Sequence, residues 1–96
     1  RHMLSRLTID LAIIGANGVS LDRGMTTPDP AVAVIKRAAL DASIRRIFIG
    51  EHSKFGRASF MRFADVAEFE VLITGQELPS SRVRAFSAAG SVLLRV

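Results

Sequence analysis

Glu51-His52-Ser53-Lys54 places a carboxylate, an imidazole, a hydroxyl and an ammonium on four consecutive residues. These are the groups of acid–base, nucleophilic and anion-binding chemistry. Adjacent residues of an extended chain point to alternate sides, so His52 and Ser53 do not share a ligand in regular geometry and a Ser–His hydrolase pairing is disfavoured. The other histidine, His2, is remote in sequence, and two histidines so placed make no metal site. Lys54 suits a phosphate or carboxylate contact better, because a charge-assisted hydrogen bond is worth about 1.5–3 kcal/mol. The plain alternative is that any strand must leave the core through polar residues.

The apolar run Ile47 to Gly50 reads as a short buried strand, which sets the cluster at its carboxyl end, with Gly56 closing the turn. In open parallel α/β sheets ligands collect at that end of the strands. A second strand, Thr8 to Ile14, runs into Gly15-Ala16-Asn17-Gly18, a turn sequence whose backbone N–H groups can approach the same anion. Thr26 and Thr27, in a loop expected from Val19 to Thr27, offer hydroxyls. Asp29-Pro30 caps a helix that runs to about Ser43, with an apolar stripe at Ile35, Ala38, Ala39 and Ala42. Leu4 to Leu7 reads as a helix stub. Residues 53–68 are expected to be irregular apart from a turn around Asp65-Val66-Ala67, their phenylalanines (Phe55, Phe60, Phe63, with Phe69 beyond) pinning a core. Glu70 to Thr74 is a third strand, Pro79-Ser80-Ser81 opens a second helix that stops near Gly90, and Ser91 to Val96 is the last strand. Near-continuous apolar strands alternating with helices predict an α/β fold, a mostly parallel sheet with helices on both faces.

A chain of 96 residues is one domain or part of one. Its mean hydropathy of +0.31 is high for that length, because small chains bury a modest share of their surface. Pairing with another copy, or membership of a larger domain, accounts for it. Cysteine is absent, which removes disulfide scaffolds and thiolate metal sites. No apolar run approaches membrane-spanning length, so no membrane partner is expected. The net charge of +4 comes from 13 basic residues scattered along the chain against nine acids, with no Tyr or Trp and no helix-turn-helix pattern. Direct nucleic-acid binding usually needs a clustered basic stripe or stacking platforms, so anionic small molecules fit this charge better. Arg1-His2-Met3 reads as a cloning remnant, leaving residues 4–96 for the domain.

Taken together, Ile14-Gly15-Ala16-Asn17-Gly18, Gly24-Met25-Thr26-Thr27-Pro28, Lys36-Arg37, Ser53-Lys54-Phe55-Gly56 and Leu72-Ile73-Thr74 are similar in order and spacing to the C-terminal effector-sensing domain of DeoR-family transcriptional repressors. The resemblance runs from about Asp10 to Val96. It implies a cytoplasmic repressor whose N-terminal winged helix-turn-helix binds an operator, and a sensor that a phosphorylated sugar or polyol relieves. Neither the DNA-binding part nor the front half of the sensor, with its phosphate loop, falls within this stretch, so the chain resembles the back half of such a sensor and touches DNA only through the missing part.

The sensor in turn resembles ribose-5-phosphate isomerase, which has Asp-Gly-Ala-Asp-Glu where this chain has Ile14 to Gly18, and Asp-Ala-Ser-Lys where it has Glu51 to Lys54. The enzyme's first Asp falls on Ile14 and its general-base Glu near Ala31-Val32, both hydrocarbon. Moving a proton between sugar carbons requires a positioned base. The resemblance therefore implies a binding pocket without catalytic residues, cofactor or metal. Its implied ligand contacts are Gly15, Asn17, Gly18, Thr26, Thr27, Glu51, Ser53 and Lys54, with Glu51 accepting from a sugar hydroxyl. Glu51-His52 stands where relatives usually carry Asp-Ser. The rival readings are a sugar-phosphate isomerase-like enzyme fragment and a module that only assembles homo-oligomers.

Overall fold

The computed structural model describes residues 8–96. The helix stub expected at Leu4 to Leu7 and the cloning remnant expected at Arg1 to Met3 lie outside the described residues. Among the described residues, seven strands, two α-helices and two single 3₁₀ turns follow one another, and the strands divide into two sheets. The larger is a four-stranded parallel sheet in the order β1-β4-β6-β7, built from β1 (Ile9–Ile14), β4 (Ser43–Ile49), β6 (Val71–Thr74) and β7 (Leu93–Arg95). The smaller is antiparallel, β2-β3-β5, from β2 (Gly18–Ser20), β3 (Gly24–Thr27) and β5 (Met61–Ala64). Two regions expected to be irregular are therefore strands. The stretch Val19 to Thr27 is mostly a hairpin, and residues 53–68 hold the strand that completes its sheet.

Helix α1 (Pro30–Ala42) begins as its sequence dictates. Asp29 accepts the Ala31 N–H at 2.9 Å, and Pro30 occupies the first helical position, where a missing N–H costs nothing. It ends where the Ser43 hydroxyl donates to the Leu40 carbonyl at 2.8 Å, and the chain passes directly into β4. The expected stripe holds in part: Ala38 is buried and Ala39 and Ala42 are half-buried, but Ile35 is 63% exposed and Ala33 and Leu40 join the buried face. Helix α2 (Ser80–Ala88) buries Phe86.

One core joins both helices and both sheets. Phe48 of β4 lies at its centre, fully buried, with Phe55 and Phe69 edge-on at centroid distances of 5.9 and 6.2 Å and Phe86 edge-on to Phe55 at 5.4 Å. Phe60, grouped with these aromatics in the sequence, is 76% exposed and takes no part. Phe48 is in register with Ile14 and Leu72, and Leu72 with Leu93, so these side chains share the inner face of the parallel sheet. Alternation sends Ile13, Ile47, Ile49, Ile73 and Leu94 to the other face. There Ile13, Ile49 and Leu94 are 57%, 48% and 50% exposed, so the described helices cover one face of the sheet and leave the second open.

Glu68 locks α1 to the turn before β6. Its carboxylate accepts from Arg37 at 2.9 and 3.1 Å, from Arg46 at 3.4 Å and from the Asp65 N–H at 2.8 Å. Arg37 also donates to the Phe63 carbonyl at 3.0 Å and pairs with Asp41 at 2.8 Å. Hydrogen bonds from Arg37, reinforced by the Asp65 N–H and the charges of Arg37 and Arg46, outweigh desolvation and hold the Glu68 carboxyl below its ordinary value of 4.5. A carboxyl with a depressed folded pKa stabilises the fold above its unfolded pKa, and that stability is lost as pH falls through the folded value. Glu68→Gln is expected to cost about 1–2 kcal/mol at pH 7, the lower part of the range for charged hydrogen bonds because the site is partly exposed. The loss should shrink as pH drops below 4.5. Thermal unfolding of both proteins followed by circular dichroism at pH 7 and pH 3 measures it.

Candidate functional site

The carboxyl ends of β1 and β4 point toward the same rim, each followed by one of the motif loops. After β1, the Gly15 carbonyl accepts from the Lys36 ammonium at 2.6 Å. Lys36 also lies 5.3 Å from the Phe63 ring centroid, and burial lowers its pKa from the ordinary lysine value. The loop is then drawn into the small sheet: the Asn17 N–H donates to the Thr26 carbonyl at 2.9 Å, and Gly18 pairs with Thr26 in the β2–β3 ladder.

After β4, residues His52–Lys54 form a 3₁₀ turn rather than an extended run. The turn separates the four polar side chains. Ser53 donates to the Glu51 carboxylate at 2.6 Å, both exposed. That bond, with the Lys54 charge and then that of His52 adding, holds the Glu51 carboxyl below its ordinary value. His52 approaches Glu77 at 4.0 Å. Phe55 plunges into the core and the Gly56 N–H donates to the Val19 carbonyl at 2.7 Å. Gly56 has φ +84°, a left-handed conformation that favours glycine over residues with a Cβ. The Ser-Lys-Phe-Gly order thus has a mechanical sense: Phe anchors, Gly turns, and Lys54 is left at the rim.

Chain 57–59 crosses back over β2. The Ser59 N–H donates to the Thr26 hydroxyl at 2.8 Å, and that hydroxyl donates onward to the Gly18 carbonyl at 3.4 Å. The Arg57 carbonyl passes so close that a Cβ on Gly18 would stand 2.6 Å from it and 2.6 Å from the Thr26 oxygen. Between the two loops lies an open recess of about 260 Å³ lined by Asn17, Lys54, Arg57, Ala58 and Ser59.

Of the eight residues singled out from sequence, Asn17 and Lys54 meet in this recess. Gly18, Thr26 and Thr27 are buried beneath or beside it, and the Thr26 hydroxyl is spent on Gly18 and Ser59. Gly15 is tied to Lys36, and Glu51 and Ser53 are bonded to each other outside the lining. Arg57 and Ser59 line the recess and were not singled out; the only sequence signal for Arg57 is a cation directly after the Ser-Lys-Phe-Gly motif. Ile14, Ala31 and Val32, where an isomerase carries its carboxylates, offer no ionisable group. Among the described residues, no group of three or more His, Cys, Asp or Glu side chains is placed to hold a metal ion.

The family model of the DeoR C-terminal sensor domain matches residues 1–76. The chain belongs to this family. It is 36% identical over 83 residues to an HTH-type transcriptional regulator, YgbI, of Escherichia coli, covering 86% of this chain and 32% of that protein. It is 29% identical over 87 residues to the HTH-type transcriptional regulator GlpR of Haloferax volcanii, covering 91% of this chain and 34% of the relative. A glycerol-3-phosphate regulon repressor of Haemophilus influenzae is 27% identical over 74 residues, with 77% and 29% covered. These relatives are regulators and repressors rather than enzymes, and this DeoR-type chain spans about a third of their length. Among the described residues no helix is long and apolar enough to cross a membrane.

Gly18→Ala is expected to force the crossing chain away from β2 and to destabilise the domain by about 1–3 kcal/mol, the usual cost of overpacking. Urea denaturation of the two proteins measures the difference.

Proposed function

We propose that this sensor domain binds a phosphorylated sugar or polyol at the recess between the Asn17 loop and the Lys54 turn, and that binding changes operator affinity through a winged helix-turn-helix carried elsewhere in the regulator. The observation that supports this reading is the meeting of Asn17 and Lys54, from two motifs 37 positions apart, in one recess with no carboxylate in its lining. Lys54 provides the charge and Asn17 the amide for the phosphate. Gly18, Thr26 and Thr27 hold the floor in shape, and Gly15, restrained by Lys36, sets the path of the Asn17 loop. Glu51 and Ser53, already bonded at the rim, exchange that bond for sugar hydroxyls. Ligand binding can switch operator affinity only by favouring one sensor conformation over another.

The name of the Haemophilus relative, a glycerol-3-phosphate regulon repressor, agrees with a phosphorylated polyol as the class of effector. The open apolar face of the parallel sheet supports a homo-oligomer, since parallel sheets are normally covered on both faces. A repressor of this kind acts in the cytoplasm.

Isothermal titration with glycerol 3-phosphate, glucose 6-phosphate and fructose 1-phosphate tests the reading. At least one is expected to bind, and Lys54→Ala should weaken it by about 1.5–3 kcal/mol, roughly 10- to 100-fold. Absence of binding by all three, or unchanged affinity in the variant, contradicts it.

A further inference from the structure

Lys54 is one of two cations in the recess. Arg57 lines it as well, from the next turn of the same segment, its N–H donating to the Lys54 carbonyl at 3.4 Å. Among the described residues neither side chain makes an ion pair, whereas Arg37, Arg45, Arg46 and Arg62 all do. The other charged groups about the turn lie outside the lining, although Glu51 is near enough to feel the Lys54 charge. Glu51 is bonded to Ser53, His52 approaches Glu77, and Arg82 lies against Gly56 beside a neighbouring recess. The lining thus contains two basic residues and no acidic one, around a space of about 260 Å³ that has room for one tetrahedral anion. The Arg57 backbone is fixed where its carbonyl packs on Gly18, so the direction from which its side chain departs is set by the fold.

A phosphate monoester carries about −1.5 to −2 charges at neutral pH, because its second pKa lies near 6, whereas a sulfate monoester of the same shape carries one. A single cation serves one charge; the second charge of the phosphate rewards a second cation, and a guanidinium fork suits its oxygens. We infer that Arg57 is the specificity-determining residue that makes this recess prefer a doubly charged phosphate ester to a singly charged anion of equal shape, an inference that rests on the sugar-phosphate reading. Lys54 supplies the attraction common to both anions. Arg57 supplies the difference.

The test uses headgroup probes, so that it does not depend on which sugar is the effector. Methyl phosphate and methyl sulfate are titrated at pH 8 into the wild-type chain, Arg57→Gln, Arg57→Lys and Lys54→Ala, with binding followed by amide chemical shifts. Wild type should prefer methyl phosphate by roughly tenfold, the value of one added charge-assisted contact. Arg57→Gln should reduce the preference to less than about threefold, with methyl sulfate affinity little changed, and Arg57→Lys should restore most of it. Lys54→Ala should weaken both probes. Unaltered thermal unfolding of the exposed Arg57 variants excludes a folding defect as the cause. A wild type that binds both probes equally, or an Arg57→Gln variant that keeps the full preference, overturns the role of Arg57 while leaving the anion site standing. A wild type that binds neither probe overturns both.

Discussion

The crossing of residues 57–59 over Gly18 is the contact on which the recess depends. Only a glycine lets the Arg57 carbonyl come so near the β2 backbone, and only a hydroxyl at Thr26 satisfies both the Ser59 N–H and the Gly18 carbonyl. Gly18 and Thr26 are buried, so loss of the Thr26 hydroxyl would leave the Gly18 carbonyl without its side-chain donor. The same contact brings the Lys54 turn against the Asn17 loop. The threonine and the glycine are therefore the mould of the site, and the Lys54 and Asn17 side chains its lining.

Two further ties keep the mould in place. Phe55 anchors the Lys54 turn to Phe48, the centre of the core, so the rim of the site and the middle of the parallel sheet move as one packed unit. Lys36 reaches from α1 to the Gly15 carbonyl, while the next residue, Arg37, is held by Glu68 and the Phe63 carbonyl. The adjacent pair Lys36-Arg37 thus fastens one helix to the end of β1 and to the turn before β6. Opposite this core the parallel sheet carries a second apolar face, on which Ile13, Ile49 and Leu94 are exposed.

Much of this was legible from residues alone, where local chemistry decides. Asp29-Pro30 announces a helix start, the β-branched runs announce parallel strands, and Gly56 announces a turn. Local patterns failed where distant contacts decide. Met25, Thr26 and Thr27 are buried in succession, without the alternation that marks a half-exposed strand, because β3 sits between β2 and β5 beneath the crossing chain. Ile35 looks like a core residue by spacing, yet α1 turns Ala33, Ala38 and Leu40 inward and leaves Ile35 exposed. The association of Asn17 with Lys54 could be read from two strand ends. Arg57 could not, because its place in the recess is set by the fit of its own carbonyl on Gly18, a fact of tertiary structure. The Thr26 hydroxyl, expected from the sequence to reach a ligand, instead meets the Gly18 carbonyl and the Ser59 N–H, partners that no local pattern indicates.

Amide chemical-shift mapping of the chain during titration with a sugar phosphate tests the central claim most directly. If the recess is the anion site, resonances of Asn17, Lys54, Arg57, Ala58 and Ser59 should move together along one saturable curve, with those at the far ends of β4 and β6 unmoved. Shifts that saturate elsewhere, for example around Asp65 and Gly90, with the Asn17 and Lys54 amides silent, would contradict it.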